Sequence, residues 1–136
     1  MGNTKPIGVA YSDQDLIGSD TIYVNGQLGY TTAGQGTVTQ ATSKSTAVTL
    51  NKSAGQITMN NAALATVTTV TFTLNNNLIS ANDTLIVTVS SGGTAGAYNA
   101  WVSGLAAGSA TIALRNISAG PLSEAVVLNF ALIHCE

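Results

Sequence analysis

The residues of this 136-residue chain that could do chemistry are few, and the densest group stands at its C-terminus. His134, Cys135 and Glu136 are consecutive, and all three are residue types that ligate metals. Adjacent residues of a strand point to opposite faces, so one chain cannot gather the three side chains around one ion. A site shared around an oligomer axis is the one metal arrangement left open. A Ser-His-Asp triad would need an activated serine beside this single histidine, and we interpret His134 as a terminal residue in solvent.

A second candidate metal site lies in the acidic segment SDQDLIGSD near the N-terminus. Asp13 and Asp15 would fill positions 1 and 3 of a calcium loop, with Gly18 at position 6. Ile17 and Val24 then fall at positions 5 and 12, where such a loop needs an oxygen ligand and a bidentate glutamate. The sequence therefore predicts no metal, no cofactor and no catalytic residue, and we expect a protein that is not an enzyme.

Charge is scarce throughout the chain, because only 7% of its residues are charged and its net charge is −2. From residue 62 to residue 101 the only charged side chain is Asp83. Four scattered basic residues cannot neutralise many phosphates, so nucleic acid is not an expected partner. No apolar run reaches transmembrane length and the first residues lack a secretory pattern, so we expect no membrane partner either.

The body of the chain, residues 37–136, has the pattern of successive short strands. TTVTFTL alternates apolar and polar residues, with Val70, Phe72 and Leu74 on one face and threonines on the other. TLIVTV and ATIALRN repeat that alternation, and glycine-rich or polar turns separate the segments. With no convincing helix, the pattern predicts an all-β fold, an antiparallel β-sandwich of the jelly-roll or immunoglobulin-like kind.

The last predicted strand, SEAVVLNFALI, is apolar on both faces. Such a strand is central in a sheet, or another chain covers its outer side. We assign one of its faces to a subunit interface. That face consists of Val126, Leu128, Phe130 and Leu132.

Residues 1–36 are predicted to form an N-terminal docking arm. Asn25-Gly26 is a strong hairpin signal, and it would pair residues 21–24 with residues 27–30. An isolated hairpin is marginal in water, so the arm should dock on its own body, on a neighbouring subunit or on a larger assembly. TTAGQG then follows as a flexible joint. The predicted docking residues are Ile22, Tyr23, Val24, Leu28 and Tyr30.

Two aromatic residues flank the end of the glycine-rich loop SSGGTAGAY. Exposed together, Tyr98 and Trp101 would form a sugar-stacking platform or anchor an interface. The alternative is that Trp101 fills the core of the sandwich, because it has the largest apolar area to bury. The pair is retained as a possible receptor or glycan contact.

The segments QATSKSTAVTLN, QITMNNAALA, SGGTAGAY and LSEAVVLNFALI resemble a module of tailed-bacteriophage structural proteins. The resemblance covers about residues 34–133 and leaves most of the arm outside. It implies a small, non-enzymatic β protein of the virion, made in the bacterial cytoplasm and located on the phage head.

The role implied first is that of a capsid decoration, or cement, protein, which stabilises the head by binding between major capsid protein subunits. We expect it to be a homotrimer. The alternative implied role is a head-fibre or tail-associated module that binds a host receptor or glycan. In either role, neighbouring proteins would cover uncharged surface that a free protein would expose to water.

Overall fold

The computed structural model describes residues 21–135, which form eight β-strands and one 3-10 turn at Thr32–Gly34. The strands are short, and turns and loops connect them. Their bounds are β1 Gln35–Thr39, β2 Val48–Thr49, β3 Ala54–Thr58, β4 Thr69–Asn75, β5 Thr84–Ser91, β6 Tyr98–Ala106, β7 Ser109–Asn116 and β8 Val127–Ile133.

The strands form two four-stranded sheets that pack face to face. Sheet I has the order β1-β3-β8-β5, and sheet II has the order β2-β4-β7-β6. The prediction of an all-β sandwich is confirmed. The sheets are mixed rather than purely antiparallel, because β1 pairs with β3 and β2 with β4 in parallel. Parallel neighbours need a crossover connection, and here each crossover passes through the opposite sheet.

Alternation along the central strands builds the core between the sheets. In β4, Phe72 and Leu74 are buried, whereas Thr69 and Thr71 face solvent. Phe72 lies directly opposite Ile112 of β7, which is also buried. Full burial of side chains of this size contributes about 1.5–3 kcal/mol each, so this apolar layer is what holds the sheets together.

The face assigned to a subunit interface, which is Leu128, Phe130 and Leu132 of β8 with Val126 just before the strand, belongs to this core instead. Val126 and Leu128 are 0% exposed, and Phe130 and Leu132 are 4% exposed, all within a single chain. The reason is the central position of β8, which has β3 on one side and β5 on the other. The bulkier residues of this doubly apolar strand turn inward, so the interface assignment is wrong.

The predicted hairpin in the arm does not form. Asn25 and Gly26 make a bend, but residues 21–24 and 27–30 are not strands. Neither central residue has the positive φ that a type I′ turn requires. Two strands without a third or a covering surface are barely stable in water, and here most of the arm lies exposed.

The segment predicted as a flexible joint is ordered into the sandwich. It holds the 3-10 turn and the first residues of β1, a strand that the sequence did not suggest. Gly36 of β1 lies opposite Gly55 of β3. A Cβ added to Gly55 would lie 2.5 Å from the Gly36 carbonyl oxygen and 3.1 Å from the Phe130 ring. These glycines therefore serve close packing of the chain rather than its flexibility.

Candidate functional site

The arm is the most exposed apolar segment among residues 21–135. Tyr23 and Leu28 are each 90% exposed, and Ile22 and Val24 are 60% and 47% exposed. Large apolar side chains are usually at least partly covered in a free protein, and four of them in seven consecutive residues make an uncovered apolar surface. The structure thus leaves four of the five predicted docking residues available to a partner.

The fifth docking residue, Tyr30, anchors the arm to its own body. Its hydroxyl donates a hydrogen bond to the carbonyl oxygen of Leu132, at the end of β8. The Gln35 side chain donates to the Tyr30 carbonyl at 2.7 Å, and Lys52 Nζ donates to the Ala33 carbonyl at 2.8 Å. The arm is therefore attached to the sandwich at Tyr30, and its exposed apolar residues lie N-terminal to this point.

Tyr98 and Trp101 do not form a shared platform. They are three positions apart on β6, so their side chains lie on opposite faces of sheet II. Tyr98 is 9% exposed and packs in the core, whereas Trp101 is 37% exposed on the outer face. The prediction that the two aromatic residues act together is wrong, and so is the alternative that Trp101 fills the core.

The surroundings of the two rings differ accordingly. Trp101 lies opposite Ala113 of β7, and Ala113 lies opposite Thr71 of β4. Ala113 is 1% exposed although it lies on the solvent side of sheet II, so its two cross-strand neighbours cover it. Trp101 thus stands on the edge strand of sheet II, beside the smallest side chain of its row.

An open groove of about 700 Å³ lies on the outer face of sheet I. A row of polar residues crosses the groove, one from each strand: Thr37 of β1, Gln56 of β3, Asn129 of β8 and Thr88 of β5. Beside this row, Ile86 is 47% exposed. No Lys, Arg, Asp or Glu lines the groove within the part of the chain that the structure describes. The outer face of sheet I is therefore wide, uncharged and mixed in polarity.

A cluster around the Asp83 carboxylate, which the sequence does not predict, lies just before the first residue of β5. The Asp83 side chain is fully buried and accepts hydrogen bonds from the Ser80 N–H at 2.8 Å, the Ser80 hydroxyl at 2.6 Å and the Cys135 N–H at 2.9 Å. His134 Nδ1 lies 2.9 Å from Asp83 Oδ1. Burial would raise the pKa of Asp83, but these hydrogen bonds outweigh it and hold the pKa well below its usual range.

This cluster does not form a catalytic triad. The Ser80 hydroxyl donates to Asp83 and not to the His134 ring, so the histidine cannot take a proton from it. His134 was expected to stand free in solvent. Its side chain is 56% exposed, yet it pairs with Asp83 and joins the C-terminal end of the chain to the turn before β5.

A second missed cluster surrounds Lys44, a lysine that is 3% exposed. Its Nζ donates to the carbonyl oxygens of Asn60 at 2.5 Å and Glu124 at 2.6 Å. Burial lowers the pKa of Lys44, and the Glu124 carboxylate acts in the opposite direction. The buried Gln40 side chain donates to the Lys44 carbonyl at 3.0 Å. The lysine thus ties three segments together and is not available to a ligand.

Glu124 and Tyr98 complete that end of the sandwich. The Glu124 carboxylate accepts from the Thr94 N–H at 3.0 Å and the Thr94 hydroxyl at 2.8 Å, which lowers the pKa of Glu124. The Tyr98 hydroxyl has no partner in hydrogen-bonding geometry among residues 21–135. Burial, with the nearby Glu124 carboxylate, raises the pKa of Tyr98 to about 12.

Residues 21–135 hold neither a cluster of metal-ligating side chains nor a membrane-spanning helix. Within that range no three His, Cys, Asp or Glu side chains come together in a way that could hold a metal ion. None of the helical segments in that range is long and apolar enough to cross a membrane. The acidic segment with Asp13 and Asp15, and also Glu136, lie outside the described residues.

Comparisons with models of known families, with curated proteins and with solved structures found no match for this chain. The sandwich architecture therefore rests on the chain's own structure. The resemblance to phage virion modules, the homotrimer and the partners that it implies stay predictions.

Proposed function

We propose that this protein is a non-enzymatic structural module that binds other proteins through its N-terminal arm. The observation that carries the proposal is the arm itself, which presents Ile22, Tyr23, Val24 and Leu28 to solvent from a fixed base at Tyr30. Burial of each of these side chains against a partner would contribute about 1.5–3 kcal/mol. A partner that buried several of them would gain enough to hold the arm in place.

The assembly that best fits the sequence resemblance is a tailed-phage head, with the protein as a decoration protein between major capsid protein subunits. Short side chains on both sheets support a role in a crowded lattice. Long Lys and Glu side chains lose up to about 2 kcal/mol of rotamer freedom when immobilised, whereas Ala and Gly lose almost none. A surface of Thr, Ser, Asn and Ala can therefore be covered at little entropic cost.

The attachment role is tested by co-sedimentation with capsids of the virus that encodes the chain. The variant carries Tyr23→Ser and Leu28→Ser, which remove the two most exposed apolar side chains of the arm. Val67→Ser is the matched control, because Val67 is a 60% exposed apolar residue of the body. We expect the arm variant to bind at least about tenfold more weakly and the control to bind normally. Full affinity of the arm variant would refute the attachment role.

The proposed homotrimer needs an interface other than the buried face of β8. The outer face of sheet I is the surface that best suits it, because it is uncharged and exposes Ile86 beside the polar row. A standard interface covers about 800 Å² per partner. Sedimentation equilibrium of the wild type, of Ile86→Lys and of the control Val67→Lys tests this assignment. We expect a trimer that Ile86→Lys alone dissociates, and a wild type that is monomeric at micromolar concentration would contradict it.

A receptor-binding fibre module is a second candidate function, and the exposure of Trp101 is the observation that favours it. Copy number in purified particles separates the two roles. Hundreds of copies would indicate a shell-covering protein, whereas a few to a dozen would indicate a fibre or tail part.

A further inference from the structure

The distribution of charge in the body singles out one residue. Lys44 and Asp83 are buried, and Lys52 and Glu124 are half-buried. Each of these four binds main-chain atoms of its own chain. Arg115 is different, because it is exposed and makes no ion pair or hydrogen bond within residues 21–135. Among the lysines and arginines of residues 21–135, Arg115 is thus the one that is exposed and binds nothing within that range.

Arg115 lies on the same face of sheet II as the exposed Trp101. The strand register places Trp101 opposite Ala113, two residues before Arg115, so the two side chains are diagonal neighbours across β6 and β7. Asn99 lies directly opposite Arg115 on one side and Thr69 on the other. The only tryptophan of the chain and its only exposed cation among the described residues therefore share one patch.

We propose that this patch, with Trp101 and Arg115 at its centre, binds an acidic saccharide. A sugar ring presents C–H groups on one side, and these pack against an indole face. The carboxylate of a uronic-type sugar matches the planar guanidinium, which binds carboxylates with two parallel hydrogen bonds. Asn99 and the neighbouring threonines supply the short amide and hydroxyl groups that hydrogen-bond sugar hydroxyls.

The surroundings favour a saccharide over the other anionic ligands. A nucleic acid would need several cations along its backbone, and this face carries one. An acidic peptide is the competing ligand, because β6 is an edge strand of sheet II to which a peptide strand can add. The outward residues around Trp101 and Arg115 favour the saccharide, because Asn99, Thr69 and Thr71 offer amide and hydroxyl groups and no apolar groove for peptide side chains. The inference concerns a different face from the arm and from sheet I, so it deepens the receptor-binding candidate alone. Its failure would leave the attachment role untouched.

A shallow site with one stacking ring and one exposed ion pair binds weakly, with a Kd on the order of 1 mM for a short oligosaccharide. Trp101 is the only tryptophan, so its fluorescence reports on this patch alone. The probe is trigalacturonate, and the matched neutral probe is galactotriose. We expect trigalacturonate to change the fluorescence saturably and added salt to weaken the binding, whereas galactotriose binds at least about fivefold more weakly.

Variants separate the roles of the two residues. Arg115→Gln removes the charge and should weaken trigalacturonate binding about tenfold or more, while Lys52→Gln removes an equal charge elsewhere and should change it less than about twofold. Trp101→Ala should abolish binding of the acidic probe, which is measured for this variant by calorimetry because its fluorescence reporter is gone. Far-ultraviolet circular dichroism and the unfolding midpoint of each variant show whether it is folded, and only folded variants are compared.

Three results would overturn the proposal. The first is no fluorescence change with trigalacturonate at tens of millimolar. The second is a failure of charge recognition, seen either as equal binding of the neutral probe or as an Arg115→Gln variant that binds like the wild type. The third is a tri-aspartate peptide that binds as tightly as trigalacturonate, which would assign the patch to acidic peptides instead.

Discussion

Leu128→Ala is the substitution that most directly tests whether β8 is core or interface. Leu128 is 0% exposed and pairs with Ile57 of β3, which is also 0% exposed. The change deletes three carbon groups, and at about 0.8 kcal/mol for each buried group the lost transfer free energy is about 2.4 kcal/mol. The cavity left between the sheets adds to this, so we expect unfolding to become easier by about 3–5 kcal/mol.

The control is Ile133→Ala, which deletes the same number of carbon groups from the same strand. Ile133 is 51% exposed, so about half of its surface is already in water and its loss should cost about 1 kcal/mol. Urea unfolding followed by circular dichroism measures both. With a slope of about 2 kcal/mol per molar, Leu128→Ala should lower the midpoint by about 2 M and Ile133→Ala by about 0.5 M.

The dependence on protein concentration decides between the two interpretations. Substitution of a residue that packs within one sandwich lowers the free energy of unfolding equally at every protein concentration. A residue at a subunit interface would instead cost stability mainly through dissociation, so its effect would grow on dilution. If the midpoint of Leu128→Ala matched that of Ile133→Ala, or if its loss appeared only on dilution, the core assignment would be refuted.

Three further predictions follow from single residues. The pKa of Tyr98 is raised to about 12, so one phenol should titrate near pH 12 in ultraviolet absorption, and Tyr98→Phe should lose that component. Folding stability should fall between about pH 10 and 12, because in that range the unfolded chain loses this proton and the folded chain still holds it. The pKa of Asp83 is lowered, so the stability it contributes is complete above its unfolded pKa of about 3.9 and is lost as the pH falls. Asp83→Asn should therefore lose less stability than the wild type when the pH is lowered, as measured by unfolding midpoints at a series of pH values. An unchanged loss of stability at low pH would contradict this. Val67 has φ 53°, which strains a β-branched residue, and it is 60% exposed. Val67→Gly should relieve this backbone strain, stabilise the chain by about 1 kcal/mol and raise Tm by a few degrees. A lower Tm would contradict this.

The parts of the fold that the sequence predicted are those that local alternation determines. β4 reads as a strand because apolar and threonine residues alternate without interruption, and Phe72 and Leu74 are buried as predicted. The sequence does not predict β1, because the glycines of TTAGQG indicate a flexible joint. A Cβ at Gly36 would instead lie 2.9 Å from Leu50 Cδ1, and a Cβ at its partner Gly55 would lie 2.5 Å from the Gly36 carbonyl oxygen, so the crowding depends on residues far along the chain.

The sites were harder to predict because strand pairing creates them. Asp83 and His134 are 51 positions apart, and they meet because β5 and β8 pair with Thr84 opposite Ile133. Likewise, nothing local places Arg115 beside Trp101 until β6 and β7 pair. Register between distant strands is weakly specified by alternation, so the residue types were visible in the sequence but their neighbours were not.

The use of charge links the fold to its proposed roles. Lys44 and Asp83 lie inside the body and bind main-chain groups, so they do the work of cross-links in a small sandwich without a disulfide among its described residues. A buried charge of this kind does not contribute to electrostatic repulsion between the surface and other proteins. Within residues 21–135 the exposed surface then consists mainly of threonine faces, Arg115 and the apolar arm. Such a surface repels few partners, so in the roles proposed above specificity would rest on the apolar side chains of the arm and on Arg115.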